Sequence, residues 1–145
     1  MSEALYTRDI LRLAVSIPHQ RRLDNPDGSA ELRSRTCGSV VAADVMTADD
    51  GVLIDMGLSI SACALGQASA SILGKEAIGL TVKDIVQARS ALQEFFAGKT
   101  ETPGDWENMD KLFVARDHKG RHAAILLPYD ALIAAFADAT KRKTG

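Results

Sequence analysis

Leu5, Ile10, Leu11, Leu13, Ala14 and Ile17 recur mostly at helical spacings, which predicts a short amphipathic helix over residues 5–17 that Pro18 stops. Between 18 and 35 that pattern lapses into Pro, Asp, Asn, Gly, Ser and Arg. Asn25-Pro26-Asp27-Gly28 is a turn signal, so an extended surface loop is expected, of the kind that often carries function. Residues 40–47 are β-branched and alternating, and Asp49-Asp50-Gly51 reads as a hairpin turn. Residues 52–60 then resume an apolar strand interrupted by Asp55 and Ser59. Two antiparallel strands follow from this reading. With Asp50-Gly51 at the turn, positions whose numbers sum to about 101 pair across the hairpin. Residues 36–39 then lie opposite 62–64, and Cys37 and Cys63 come to the same end.

After Cys63 the small-residue run 64–73 suits a helix packed closely on a sheet, with Ser61 as its cap and Cys63 in its first turn. A thiol there meets the positive end of the helix dipole and free backbone N–H groups, a setting that favours thiolate chemistry. Gly79 breaks the chain, and Thr81 with Asp84 resembles a capping box. Ile85, Ala88, Leu92, Phe95 and Phe96 then form a core-facing stripe up to Gly98. Residues 98–105 read as a loop and 106–113 as a short helix capped by Asp105 and anchored by Trp106. A polar turn, Arg116-Asp117-His118-Lys119-Gly120, leads to Arg121-His122 and a last helical segment through Ala139, which Pro128 starts or kinks. With no repeat, linker or second composition regime, one α+β domain over 1–145 is expected: a small antiparallel β-sheet with helices packed on one face.

Charge removes one class of function. Seventeen Lys+Arg against 19 Asp+Glu give a net charge of -2, and the one basic block is Lys141-Arg142-Lys143. Such a chain lacks the footprint needed to neutralise many phosphates, so nucleic-acid binding is not expected. Acidic residues at Glu3 and Asp9 and the absence of an early apolar run point to a cytoplasmic protein without a signal or transit peptide. The apolar region 52–73 is interrupted by Asp55 and Gln67, so no membrane span is expected there. At 145 residues the chain buries enough surface to fold without disulfide or metal. Its two cysteines, in a reducing compartment, are therefore either small buried hydrophobes or thiols kept for chemistry. No CxxC, HExxH, P-loop, GxGxxG or GxSxG motif is present.

The order of residues says more than any single motif. Leu23-Asp24-Asn25-Pro26-Asp27-Gly28-Ser29-Ala30, Cys37-Gly38-Ser39, an acidic hairpin turn, Cys63-Ala64 and Ala68-Ser69-Ala70-Ser71 follow one another in this chain. With Leu5-Tyr6 and Ile10-Leu11 at the start and Ile125-Leu126 and Asp130-Ala131-Leu132 at the close, the set resembles the U-type iron–sulfur cluster scaffold family. That family includes IscU, SufU and the amino-terminal domain of NifU. The resemblance implies a SufE/NifU-like α+β fold and a non-catalytic scaffold or carrier. Its cargo is a labile cluster of the [2Fe-2S] kind, or iron, with zinc also suited to the donors. It implies a cysteine desulfurase and apo-protein acceptors as partners, and Cys37 and Cys63 as thiolate ligands. Thiolates are the usual ligands of such clusters, and a labile one suits loop and helix ends.

The chain departs from the family pattern twice. Ser39 stands where the family's Cys-Gly-Asp motif has its Asp, and a hydroxyl replaces a carboxylate. The third family cysteine, near the start of the last helix, is missing. Alignment on Ile125-Leu126 puts Ala123 there and His122 on the preceding histidine, while alignment on Asp130-Ala131-Leu132 puts Ala124 there. Cys37, Cys63 and His122 could hold one metal with an open fourth position, or two chains could share a cluster as a homodimer. The rival reading is a U-type fold that acts as an interaction or regulatory module and binds zinc or nothing. A Cys–His nucleophilic enzyme would need an oxyanion site that the sequence does not offer. His19 and His118 read as solvated loop residues, and Arg21, Arg22, Arg33 and Arg35 as a solvated face or an acidic partner's contact.

Overall fold

A computed structural model describes residues 5–35 and 38–144. Three antiparallel strands, β1 (Gly28–Arg33), β2 (Val40–Thr47) and β3 (Leu53–Ser61), lie in the order β1-β2-β3. Four α-helices accompany them: α1 (Arg8–Ala14), α2 (Ala64–Glu76), α3 (Val82–Phe96) and α4 (His122–Thr144). The result is the expected small antiparallel sheet with helices packed against it.

The β2–β3 hairpin has the expected register. Val40 pairs with Ser61 and Met46 with Asp55, so the numbers sum to 101 along the ladder until a shift between Met46 and Thr47. Alternation then sorts the side chains. Val41, Ala43, Val45, Met56 and Leu58 are buried on the helix side, where α4 packs on β1 and β2 and α2 packs on α4. The opposite face carries Asp44 and Gly57 and is covered by the chain around 19–23, where Leu58 N–H donates to the His19 carbonyl at 2.8 Å.

The expected loop over 18–35 needs correction, because its second half is β1. A polar, Gly-started strand gives little pattern of its own. Its placement rests on pairing, Leu32 with Val41 and Ala30 with Ala43, and on Gly28. A Cβ at Gly28 would stand 2.2 Å from the Ala135 carbonyl oxygen and 2.4 Å from the Ala139 nitrogen, so only glycine lets α4 lie this close.

Other boundaries move by a few residues. The first helix is shorter than expected, running from a Thr7 cap whose hydroxyl accepts the Ile10 N–H at 3.2 Å. Ser61 ends β3 instead of capping α2; the cap is Cys63. The segment expected as a helix over 106–113 is a 3₁₀ helix, Met109–Ala115, entered through Asn108 at φ 70°. The capping box of α3 is present, with Thr81 N–H donating to the Asp84 carboxylate at 3.0 Å. Pro128 lies inside α4, which continues past Ala139 to Thr144. By length and composition α4 is the one helix among the described residues apolar enough to cross a membrane. Its apolar positions are spent on packing: Ile125, Leu132 and Ala135 are fully buried.

Candidate functional site

Two of the residues singled out by the sequence, Ser39 and Cys63, lie at one end of the sheet. The last rung of the hairpin, Val40 with Ser61, is also level with Arg33 of β1, so the β1–β2 connection and the exit of β3 lie together. The connection is tight: Ser34 N–H donates to the Ser39 carbonyl at 2.8 Å, and Gly38 N–H donates to the Ser34 carbonyl at 3.2 Å. Gly38 adopts φ 72°, a left-handed conformation that glycine accepts without a Cβ clash. Ser39 is buried at 3% exposure. Cys37 belongs to this connection in sequence and lies outside the described residues.

Cys63, two residues beyond Ser61, is the N-cap of α2 with extended backbone angles, φ -67° and ψ 171°. It is a free, half-buried thiol, and its side chain makes no capping hydrogen bond. Its carbonyl accepts the Gln67 N–H at 2.9 Å and begins the helix. No acidic side chain stands in the first turn of α2. Cys63 therefore sits at the positive end of a helix whose first N–H groups have no helical partner.

The first turn of α4 comes alongside. A Cβ on Gly66 would lie 3.3 Å from the Ala124 carbonyl oxygen and 2.8 Å from the Ala62 Cβ, so the helices touch through glycine and alanine. Pro128 has no N–H to return to the Ala124 carbonyl. One residue on, the Ser69 hydroxyl donates to the Ile125 carbonyl at 2.6 Å and ties α2 to α4. Ala124 is buried at 1% exposure against this seam, whereas Ala123 is exposed. Below the seam, Tyr129 is fully buried and its hydroxyl donates to the Met109 sulfur at 3.7 Å. Burial raises that phenol's pKa above the ordinary range, against a lowering by Ser69.

His122 is placed elsewhere. Two residues from Ala124 on a helix is a rotation of about 200°. Its ring stacks on Phe96 with centroids 3.9 Å apart at 8°. Its Nε2 lies 2.8 Å from the Ala115 carbonyl, which can only accept, so Nε2 carries the proton and donates. The ring lines a cleft with Phe96, Arg116 and Lys119 and not the seam beside Cys63. Among the described residues, no three His, Cys, Asp or Glu side chains gather as a cage for a metal ion.

One polar cluster was missed from the sequence. Asp44, fully buried on the back of β2, accepts Arg22 Nε at 2.8 Å and Nη2 at 3.0 Å, Leu23 N–H at 2.9 Å and the Ser29 hydroxyl at 2.6 Å. Burial alone would raise its pKa, but the hydrogen bonds from Arg22, Ser29 and Leu23 outweigh it and hold the carboxyl at about 2. This carboxylate fastens the segment around 22–23 and β1 onto the sheet whose far end carries the site. The available signal was a lone Asp inside the apolar run Val40-Val41-Ala42-Ala43-Asp44-Val45.

Comparison with known proteins agrees with this geometry, although no protein-family model matches the chain. The crystal structure of the amino-terminal part of a nitrogen-fixing NifU-like protein from Brucella abortus superposes with TM-score 0.90 at 31% identity, over 97% of both chains. A putative iron–sulfur cluster assembly scaffold protein for the SUF system from Fervidobacterium islandicum shares the fold, with TM-score 0.79 and 20% identity over 94% of this chain and 99% of that one. The iron–sulfur cluster assembly scaffold protein IscU of Thermotoga maritima is 23% identical over 128 residues, 88% of this chain and 89% of its own. With one relative above 30% identity along nearly its full length, the chain belongs to the IscU/SufU/NifU-type iron–sulfur scaffold family, as a divergent member with two cysteines instead of three.

Proposed function

We propose that this protein is a non-catalytic scaffold or carrier that holds iron or a nascent, labile iron–sulfur cluster as cargo, with Cys37 and Cys63 as its thiolates. The observation that carries this reading is Cys63 at the N-cap of α2, an uncapped thiol at the same end of the sheet as the β1–β2 connection. Helix-end N–H groups stabilise the negative charge of thiolates and cluster sulfides, and a half-buried site lets cargo enter and leave. A cytoplasmic setting keeps both thiols reduced. Cysteine desulfurases and apo-protein acceptors are the partners such a role requires.

Two thiolates do not complete a cluster's ligand set, so the remaining positions fall to His122, to a second chain, or to a recipient protein. His122 would have to leave Phe96 and the Ala115 carbonyl to take part. The second reading, an interaction or regulatory module that binds zinc or no metal, is favoured by Ala123 and Ala124 standing where the third thiolate is missing.

Anaerobic reconstitution with iron and sulfide, followed by visible absorption and metal analysis, tests the choice. The native chain is expected to develop a cluster chromophore, a Cys37→Ala, Cys63→Ala variant none, and His122→Ala most of the native signal. A native chain that takes up neither chromophore nor iron overturns the scaffold reading; zinc uptake in its place selects the second.

A further inference from the structure

Glu76, at the end of α2 farthest from Cys63, accepts the Glu107 N–H at 3.1 Å and so holds the loop before the 3₁₀ helix. Between this loop and one face of α3 lies a cavity of about 220 Å³. Asp84, Gln87 and Ala91 recur at a helix-face spacing and form one wall; Gly104, Asp105 and Trp106 form the other, over Met109. Small residues shape it. A Cβ on Gly104 would touch the Met109 Cγ at 3.4 Å and the Ala91 Cβ at 3.8 Å, so glycine and alanine leave room that larger side chains would fill. The walls are fixed in advance of any ligand: the Trp106 ring is held 6.0 Å from the ring of the fully buried Tyr129, and the Met109 N–H donates to the Trp106 carbonyl at 3.0 Å.

The lining selects the kind of ligand. Asp84 and Asp105 are its charged groups, and no Lys, Arg or His lines it among the described residues. Asp84 accepts the Thr81 N–H at 3.0 Å and the Thr81 hydroxyl at 3.1 Å, both on Oδ2, which leaves Oδ1 for a further donor. A neutral apolar molecule would strip water from the carboxylates with nothing in return, and an anion would be repelled. A bare metal ion takes several oxygen ligands, and among the described residues no three His, Cys, Asp or Glu side chains gather here. An indole, a methionine and an alanine beside two carboxylates suit a cation with a hydrocarbon body. We propose that this cavity binds a small organic cation of the alkylguanidinium or alkylammonium class, its charge toward Asp84 and Asp105 and its alkyl part against Trp106, Ala91 and Met109. The site stands apart from Cys63 and does not depend on the cargo.

The full chain has one tryptophan, so the fluorescence of Trp106 reads the site directly. In reductant and chelator at constant ionic strength, butylguanidinium and butylammonium are the probes. At least one is expected to change the fluorescence saturably, with a Kd below about 1 mM. Butylurea, which keeps the shape and lacks the charge, should bind at least about tenfold more weakly, and pentanoate should not bind. Ala91→Leu, which fills the cavity from a half-buried helical position that leucine suits, should abolish the change. Asp105→Asn, at an exposed position, should weaken binding by about tenfold, and Cys63→Ser should bind as the native chain does. Circular dichroism checks that each variant folds; should Ala91→Leu fail to, Asp105→Asn and the butylurea comparison decide. No saturable change with either cation up to about 10 mM overturns the proposal. So does butylurea binding as tightly as the cations, or Asp105→Asn and a folded Ala91→Leu both binding as the native chain does. A response to an arginine-containing pentapeptide alone also overturns it, and assigns the cavity to a partner's side chain.

Discussion

The Ser69 hydroxyl of α2 donates to the Ile125 carbonyl of α4 at 2.6 Å, a buried hydrogen bond one turn beyond the point where Gly66 meets Ala124. This bond holds the starts of two helices side by side, and Cys63 caps one of them. Ser69→Ala should therefore cost about 1 kcal/mol in urea unfolding, while Ser69→Thr, which keeps the hydroxyl but adds a methyl to a fully buried position, should lose stability through overpacking. A Ser69→Ala variant as stable as the native chain would remove the bond from the account of the seam.

Gly28 makes a stronger demand. With backbone atoms of Ala135 and Ala139 standing 2.2 and 2.4 Å from where a Cβ would sit, Gly28→Ala must push α4 off β1. A loss of about 3 kcal/mol or more is expected, or failure to fold. Gly51→Ala is the comparison: nothing lies within 4 Å of its Cβ position, so only the φ of 88° is penalised, at about 1 kcal/mol. Denaturation midpoints of the two variants check the order.

Asp44 predicts an acid limb of stability. Its carboxyl is held at about 2 in the fold against 3.8 for the free group. A lowered folded pKa stabilises the ionised form, so the contribution is complete above pH 3.8 and is lost as pH falls toward 2. It amounts to about 2 kcal/mol for this buried group. Asp44→Asn should be less stable at neutral pH and should lack this part of the slope between those two values. Parallel native and variant slopes there would show that the stabilisation lies in other carboxylates.

The missing third thiolate can be replaced. Ala123 is exposed at the first turn of α4, whereas Ala124 is buried against Gly66. Ala123→Cys should prolong the life of a reconstituted cluster chromophore. Ala124→Cys should chiefly disturb the seam and lower stability, since a sulfur there replaces a hydrogen in a packed contact. The reverse result would place the vacancy at 124.

Local signals were legible wherever the chain near a residue decided its conformation. The Asp49-Asp50-Gly51 turn and the alternation on either side set a register that pairs Val40 with Ser61, and from it the end of the sheet that carries Cys63. Thr81 with Asp84 announced the start of α3, because a capping box closes within four residues. The ordered Cys-Gly, Cys-Ala and Ala-Ser-Ala-Ser pieces announced the family.

What the sequence could not decide depends on partners distant along the chain. Gly28–Arg33 is a strand because β2 pairs with it and α4 lies on it; alone, its polar residues spell a loop. Asp44 is an anchor because Arg22, Leu23 and Ser29 arrive from two other segments. His122 and Ala124 are two residues apart, yet packing turns one toward Phe96 of α3 and the other toward Gly66 of α2. By itself the sequence determined turns, caps, alternation and the cysteine inventory, which are short-range matters of backbone geometry and chemistry. The tertiary structure decided which face each helix presents, and with it which side chains can stand beside Cys63, because burial and close packing are settled only when all the elements meet.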